Sequence, residues 1–221
     1  MVRRFFQKIL RHPILWFSRK FTSNPDKERV MLALSELYQK VLDGKTKSGI
    51  VVPIEITSAK IIIFSDQHKG ARNGADDFSI CENTYLTALK YYYQQGYTFI
   101  SLGDADELWE NTLSQIKKYN KKTFAAETKF FKDNRFYKVF GNHDLYWAND
   151  PFASYELKKI YGHKTPIYES IILALTINNK VLHVFCTHGH QGDKQSDGNW
   201  FSKFFVARIW APLQAYLQIN P

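Results

Sequence analysis

The 221-residue sequence is poor in cysteine and has no long apolar run. Its two cysteines, Cys81 and Cys186, cannot form a disulfide framework, so we expect reduced thiols in a cytosolic-type compartment. No stretch approaches the roughly 18 apolar residues that span a bilayer. Internal repeats and low-complexity tracts are also absent. The sequence therefore predicts a globular chain that does not cross a membrane and whose length suits one domain.

The main part of the chain also has little net charge. Residues 1–60 supply +7 of the total of +9, with 12 Lys/Arg against 5 Asp/Glu. The other 161 residues therefore carry only +2. A groove that follows a nucleic-acid backbone needs clustered Lys and Arg. We therefore do not expect a nucleic acid as the partner of this domain.

Residues 1–22 form a basic, aromatic N-terminal arm without any acidic residue. Six Lys/Arg alternate with Phe, Leu, Ile and Trp, and Pro13 should break or kink a helix there. Two interpretations stay open. The arm binds the surface of an anionic membrane, or it packs its aromatic side chains on the domain. We expect a cytoplasmic protein, with peripheral membrane contact through residues 1–22 in the first case.

Residues 23–49 predict an N-terminal helix and a linker. Ser23 or Asn24 can cap the helix, Pro25 suits its first turn, and Gly44 suits its end. The apolar residues recur at the spacing of one helix face: Val30, Leu34, Leu37, Tyr38 and Val41.

Residues 50–221 predict one domain in which strands alternate with helices. Three apolar runs indicate strands, namely "AKIIIFSD", "YTFISLGD" and "RFYKVFGNHD". A β-hairpin through Asn178–Asn179 follows them, with "ESIILALTI" and "KVLHVFCTH" as its strands. Strand–helix alternation followed by a hairpin predicts an α/β layered fold with a mixed sheet.

Four of these strands end in a cluster of polar residues. The clusters are Ser65–His68, Gly103–Glu107, Gly141–Asp144 and Thr187–His190. The carboxyl ends of strands line the ligand crevice in open α/β sheets. Carboxylate, imidazole and amide oxygen suit divalent first-row metals, and the lack of thiolate argues against a structural zinc site. We expect these side chains to meet on one rim: Asp66, His68, Asp104, Asn142, His143 and His188.

The pattern "DQH … GDADE … GNHD … HGH" resembles that of the calcineurin-like metallophosphoesterases. Asp66, Asp104, Asn142 and His188 follow one another at spacings of 38, 38 and 46 residues, in the family order. The resemblance implies a four-layer α/β/β/α sandwich with mixed sheets over residues 50–221. Within the family, "LGDADELW" and "HGHQGD" look nearest to the UDP-diacylglucosamine pyrophosphohydrolase-like branch. That branch usually has Arg where His143 stands.

The resemblance also implies a site with two divalent metal ions. Asp66 and His68 would hold the first ion, Asp104 would bridge both, and Asn142 and His188 would hold the second. We expect manganese, with iron or zinc as alternatives. The two ions would generate a hydroxide for in-line attack on phosphorus.

Five further residues receive roles or open alternatives. The resemblance implies that His143 faces the substrate and donates a proton or stabilises charge. Asp144 would hydrogen-bond the ring of His143 and fix its tautomer. Glu107 either orients a metal ligand or is an ordinary carboxylate at a helix start. His190 and Asp193 either touch the substrate or support the site, or they belong to an ordinary surface loop.

One family motif is missing. Family members normally close with Gly-His-x-His, whose two histidines complete the metal shells, and the sequence has no such motif after His190. We expect the domain to be C-terminally incomplete, with three protein ligands for each ion and weakened binding. The aromatic segment 199–217 is interpreted either as a lid or as a core helix.

The sequence predicts a metal-dependent phosphohydrolase that cleaves a phosphoester or pyrophosphate bond. Its substrate would be a phosphorylated small molecule or a lipid-linked molecule. A nuclease of the same superfamily is one alternative, and the nearly neutral domain argues against it. A non-catalytic binding module is the other, although such relatives usually lose His143 or a metal ligand.

Overall fold

The computed structural model describes residues 9–10, 12–13, 16, 25–45, 48–178, 180–193, 208–209, 212 and 216. Most of the arm 1–22 and of the aromatic segment 199–217 lies outside these residues, so their two interpretations each remain predictions. Among the described residues, no helix is long and apolar enough to cross a bilayer.

Six helices and seven strands are described over their whole length. In chain order they are α1 Lys27–Leu42, β1 Gly49–Ile54, β2 Ile61–Phe64, α2 Phe78–Gln94, β3 Thr98–Leu102, α3 Leu113–Tyr119, α4 Lys121–Lys132, β4 Phe136–Val139, α5 Tyr146–Asn149, α6 Ala153–Tyr161, β5 Ile167–Tyr168, β6 Ser170–Ile177 and β7 Lys180–Thr187.

Helix α1 confirms the predicted N-terminal helix but begins later than expected. Asp26 caps it, and its carboxylate accepts a hydrogen bond from the backbone N–H of Arg29 at 3.0 Å. The carboxylate also places negative charge at the helix N-terminus, which is favourable. Pro25 therefore precedes the cap instead of lying in the first turn. The helix ends before Gly44, whose φ is 75°.

The strands form two sheets. The first is a parallel sheet in the order β2-β3-β4-β5. The second has the order β1-β6-β7 and is mixed, because β1 pairs parallel with β6 while β6 and β7 are antiparallel. The pairing of β6 with β7 confirms the predicted hairpin. Strand β1 was not predicted, and it contains Pro53, a residue that usually argues against a strand.

Three hydrophobic clusters separate four layers. Helices α2–α6 cover one face of the parallel sheet, where Phe99 and Phe130 are fully buried. Ile100 and Ile171 belong to the cluster between the two sheets. Leu37 of α1 packs on the outer face of the mixed sheet. The structure thus confirms the α/β/β/α sandwich, and Phe99 and Ile100 on opposite faces explain why β3 is continuously apolar.

A buried network of charges connects the layers. Lys69 Nζ lies 2.9 Å from Glu127 Oε1 on α4 and 3.3 Å from Asp106 Oδ1. Lys138 Nζ on β4 lies 2.9 Å from Asp106 Oδ2. All four side chains are at most 1% exposed. Burial opposes the charge on Asp106, but Lys138 and Lys69 hold its pKa at about 2. The network fixes the loops that follow β2 and β3.

Candidate metal and catalytic site

The loops after β2 and β3 run side by side and turn sharply. Asp66, His68 and Asp104 adopt left-handed backbone, with φ of 56°, 47° and 47°. The backbone N–H of His68 donates to the carbonyl of Asp104 at 2.9 Å, and the backbones of Lys69 and Asp106 form a parallel β-bridge. Left-handed backbone is unfavourable for residues other than glycine. Neighbouring loops therefore hold these residues in strained conformations that aim their side chains at the rim.

Two glycines let the strand ends approach one another. A β-carbon on Gly103 would lie 2.5 Å from the ring of His188. A β-carbon on Gly141 would collide with Asp104 and with His188. The backbone turns sharply at Gly103, whose φ is 80°. Gly141 is needed for a different reason: Asp104 and His188 lie so close to its backbone that only a residue without a side chain fits there.

His188 aims one ring nitrogen at two neighbouring oxygens. Its Nε2 lies 3.1 Å from Asp104 Oδ2 and 3.2 Å from Asn142 Oδ1. Its Nδ1 lies 3.2 Å from the carbonyl of Leu102, which can only accept, so Nδ1 carries the proton. Burial opposes charge on Asp104, yet hydrogen bonding to His188 holds the pKa of this carboxyl below its ordinary value.

His68 is held in the same manner by a carboxylate. Its Nδ1 lies 2.7 Å from Glu107 Oε2. Its Nε2 lies 3.8 Å from Asp66 Oδ1 and 3.8 Å from Asp104 Oδ2. Burial would lower the pKa of His68, but Glu107 and then the other carboxylates raise it to about 9. A histidine with one nitrogen on a carboxylate and the other facing carboxylates has the arrangement of an oriented metal ligand.

His143 contacts the same carboxylate from another side. Its Nδ1 lies 2.7 Å from Glu107 Oε2, and its backbone N–H donates to Asp104 Oδ1 at 2.8 Å. The indole of Trp109 stacks on its ring with centroids 4.0 Å apart. Trp109 also donates its Nε1–H to the carbonyl of Asn142 at 2.6 Å. The hydrogen bond to Glu107 and the stacking of Trp109 together fix the orientation of the His143 ring.

In the described part of the chain, the carboxylate of Asp144 makes no hydrogen bond to the His143 ring, which contradicts that part of its predicted role. Its fully buried carboxylate accepts hydrogen bonds from the backbone N–H of Gly141 at 2.6 Å and of Ala105 at 3.0 Å. Burial raises its pKa to about 6. The tight turn leaves these N–H groups for a side chain to satisfy, and Asp144 supplies the acceptor. Glu107 takes the position beside His143 instead.

The geometry brings all six strand-end residues of the prediction to one rim, and a sequence comparison agrees with it. A family model described as calcineurin-like phosphoesterase matches residues 59–217, more than half of the chain. The chain belongs to the calcineurin-like phosphoesterase family. Searches of the curated proteins and of the solved structures found no match. Family membership implies a hydrolase that acts on phosphoester bonds.

The donors of this phosphoesterase fit divalent cations. Two groups each have ligand atoms within 4.8 Å of one another. The first is Asp66, Asp104 and His188, and the second is His68, Glu107 and His143. Oxygen and nitrogen donors without thiolate suit first-row divalent ions. Since His68 Nε2 faces Asp66 and Asp104, His68 fits the first group as well. Which donors bind each ion remains a prediction.

His190 lies beside His188 of the phosphoesterase site, and Asp193 follows it on the same loop. The buried His190 ring has its centroid 5.6 Å from that of His188. The backbone N–H of Asp193 donates to the carbonyl of His190 at 3.3 Å. Arg29 Nε donates to the carbonyl of Gly192 at 2.5 Å, which ties this loop to α1. The predicted contacts of the two residues with substrate are not tested by this arrangement.

Two residues that follow the second motif were missed by the sequence analysis. Trp109 stacks on His143, as described above, and Glu110 faces the cleft beside it. Burial and then the charge of Glu107 raise the pKa of Glu110 to about 7. Their position directly after "GDADEL" was the only available signal. The cleft has a volume of about 490 Å³ and reaches from His68 and His143 to the start of α2.

Proposed function

We propose that this phosphoesterase hydrolyses its substrate with two divalent ions. The first would be held by Asp66, His68 and Asp104, and the second by Asp104, Asn142 and His188. The observation that carries this proposal is the orientation of His68, with Nδ1 on Glu107 and Nε2 facing two carboxylates. Asp104 is 3% exposed and lies within reach of both histidines, as a bridging carboxylate requires.

When bound, the ions would neutralise phosphate oxygens and lower the pKa of a water molecule, so that hydroxide would be available to attack phosphorus near neutral pH. The chain's own residues position the other participants. Leu102 and Glu107 orient the rings of His188 and His68, which keeps one nitrogen of each facing the carboxylates. Asp144 holds the backbone of the turn that carries Asn142. These contacts preorganise the donors before the substrate arrives.

His143 is the residue that would act on the substrate. Glu107 and Trp109 hold its ring, and Nδ1–H donates to Glu107, so that the ring carrying both protons would donate a hydrogen bond or a proton from Nε2. A donor at this place stabilises the phosphoryl oxygens or protonates the leaving oxygen. Glu107 is the common hydrogen-bond partner of His68 and His143, so it would orient both a metal ligand and the residue that acts on the substrate.

Metal identity and substrate belong to the same proposal. Manganese suits the mixed oxygen and nitrogen donors, and iron or zinc are the alternatives. The substrate would be a phosphorylated small molecule or a lipid-linked molecule, with a pyrophosphate bond as a second option. The described lining of the cleft contains no Lys or Arg. This composition argues against a nuclease, since phosphate-tracking grooves are basic.

Hydrolysis of bis-p-nitrophenyl phosphate with and without Mn²⁺ tests the proposal. Metal content is measured in parallel by elemental analysis. Asp104→Asn and His188→Ala should lower both metal content and turnover, whereas Glu36→Gln on the exposed surface of α1 serves as the matched control. Turnover that survives chelation and both site variants would contradict a metal-dependent mechanism.

A further inference from the structure

The cleft beside His143 is acidic. Within the part of the chain that the structure describes, five carboxylate residues and no Lys or Arg line it. Asp66 and Glu107 belong to the proposed catalytic site. Asp76 has a structural role, since its carboxylate accepts the backbone N–H of Arg72 at 2.6 Å and of Ser79 at 3.0 Å. Two carboxylates, on Asp77 and Glu110, remain to be explained.

Neither remaining carboxylate is paired with a Lys or Arg in the described part of the chain. Among the described residues, no salt bridge or hydrogen bond is made by the carboxylate of Asp77 or of Glu110. Asp77 is exposed at the start of α2. Glu110 is half-buried, and the neighbouring charge of Glu107 adds to the burial that raises its pKa. Within the described lining, the basic side chains near these two carboxylates are therefore the imidazoles of His68 and His143, and no Lys or Arg contributes.

Gln67 provides a second and independent indication of a ligand. It lines the same cleft and is 8% exposed. Neither Nε2 nor Oε1 of its carboxamide has a hydrogen-bond partner among the described residues. Buried amides are normally satisfied, and an exception calls for a water or a ligand. A carboxamide offers both a donor and an acceptor to such a ligand.

We propose that this cleft selects phosphoesters whose second substituent is a polar group that is neutral or cationic, with an amino alcohol as the best fit. The proposal rests on the proposed function, because it concerns the part of the substrate that lies next to the scissile phosphate. Glu110 and Asp77 would attract an ammonium group, and Gln67 Oε1 would accept a hydrogen bond from it. An additional anionic group would find no Lys or Arg among the described residues that line the cleft.

The proposal separates two classes of substrate. The ions and His143 would balance the charge of the reacting phosphate. A second phosphate or a carboxylate would instead face Glu110 and Asp77. Like charges at close range in a partly buried cleft repel strongly, because the effective dielectric constant is lower than in water. Nucleoside polyphosphates and other polyanions should therefore be poor substrates.

Three p-nitrophenyl phosphodiesters of nearly equal size test this selection. Their second substituents are 2-aminoethyl, propyl and 2-carboxyethyl, which are cationic, neutral and anionic. In each case water supplies the oxygen that bonds to phosphorus, the bond to the aryl oxygen breaks, and p-nitrophenolate leaves. The common leaving group keeps the chemistry constant. We expect kcat/KM to fall in that order, with at least a tenfold difference between the first and the last.

Glu110→Gln is the decisive variant, and Glu36→Gln is its matched control. Glu110→Gln should reduce the ratio of kcat/KM for the 2-aminoethyl and 2-carboxyethyl esters several-fold, while Glu36→Gln should leave the ratio as it is. An unchanged ratio in Glu110→Gln, or a preference for the 2-carboxyethyl ester in the parent protein, would overturn the proposal. Thermal unfolding of both variants verifies that they fold.

A binding measurement keeps this inference separate from the proposed function. Calorimetry with 2-aminoethyl, propyl and 2-carboxyethyl phosphate gives dissociation constants without any turnover. If no diester is hydrolysed but 2-aminoethyl phosphate binds tightest in a manner that depends on Glu110, hydrolysis fails and the selection stands. Hydrolysis of all three diesters at equal rates would contradict the proposed selectivity and leave the proposed hydrolytic function intact. Loss of one equivalent of Mn²⁺ in Glu110→Gln would overturn it too, since Glu110 would then be a metal ligand.

Discussion

Glu107 Oε2 lies 2.7 Å from Nδ1 of His143. The same oxygen lies 2.7 Å from Nδ1 of His68. Burial opposes the charge on this carboxyl, but the two histidines, His143 first, hold its pKa at about 2. One carboxylate oxygen therefore orients both a proposed metal ligand and the histidine proposed to act on the substrate.

Replacement of Glu107 by Gln should lower both metal affinity and turnover. The loss is expected to be about 10- to 100-fold in each, the scale on which residues behind metal ligands act. Metal titration and kcat on bis-p-nitrophenyl phosphate measure the two effects, with Glu36→Gln as the control. No helix begins at Glu107, since the next helix starts at Leu113, so the helix-start alternative is wrong. If metal affinity and kcat both stay at the parent level, Glu107 does not orient the site.

His143→Ala should separate metal binding from turnover. We expect nearly unchanged metal content and a loss of turnover of about 10²–10⁴, the usual contribution of positioned proton transfer. Elemental analysis and steady-state kinetics on the same sample decide between the two roles. Loss of metal in this variant would make His143 a ligand, in agreement with its membership of the second donor group.

Trp109→Phe should lower kcat more than it changes KM. The variant keeps an aromatic face for His143 but loses the N–H that donates to Asn142. A loss of one partly buried hydrogen bond of about 1–1.5 kcal/mol corresponds to roughly tenfold in rate. Tyr38→Phe is the control, because it removes an aromatic side chain's hydrogen bond to His183 of β7, away from the site. Equal kinetic effects of the two variants would contradict a positioning role for Trp109.

Lys69→Met should destabilise the protein by about 3–5 kcal/mol, since among the described residues it leaves the buried carboxylate of Glu127 without a cationic partner and that of Asp106 with Lys138 alone. Lys117→Met is the matched control, because Lys117 pairs with Glu156 at a site where both side chains are partly exposed. Its cost should be at most about 1 kcal/mol. Urea unfolding of both variants gives the comparison, and a larger loss in Lys117→Met would refute the stabilising role of the network.

The metal-free protein should lose stability as the pH rises from about 6.5 to about 9. The folded-state pKa of His68 is raised from 6.5 to about 9, so the stabilisation from its protonated ring is complete below 6.5 and disappears through 9. The ring is 32% exposed, which reduces the expected change to about 1–2 kcal/mol. Urea unfolding in a chelator measures it, and His68→Gln should flatten the profile. Affinity for Mn²⁺ should rise over the same range, because the metal needs the neutral ring.

Much of the fold could be predicted from local patterns. Continuous apolar runs identified β2, β3 and β4 because both faces of their sheet are covered. The two-residue turn at Asn178 identified the hairpin. Strand β1 was missed, since a short run that contains Pro53 has no alternation or turn to mark it. The helix cap was misplaced because Ser23, Asn24 and Asp26 are all good caps, and only the packed helix selects among them.

The site was predictable where it depends on strand ends and unpredictable where it depends on side-chain direction. Asp66, His68, Asp104, Asn142 and His188 follow strands directly, and parallel strands bring their ends together. Adjacent residues on a tight turn point in different directions, however, and the sequence does not give these directions. For this reason Asp144 was placed beside His143, when its carboxylate instead turns to the backbone of Gly141.

The left-handed backbone at Asp66, His68 and Asp104 lowers the stability of the fold at three positions whose side chains the proposed reaction needs. Glycine at each would relieve roughly 1 kcal/mol of strain, and it would delete a side chain that the proposed reaction needs. A population of variants selected only for thermal stability should therefore lose the site first at these positions. If all three side chains are retained in a population of variants, selection for the reaction is what retains them.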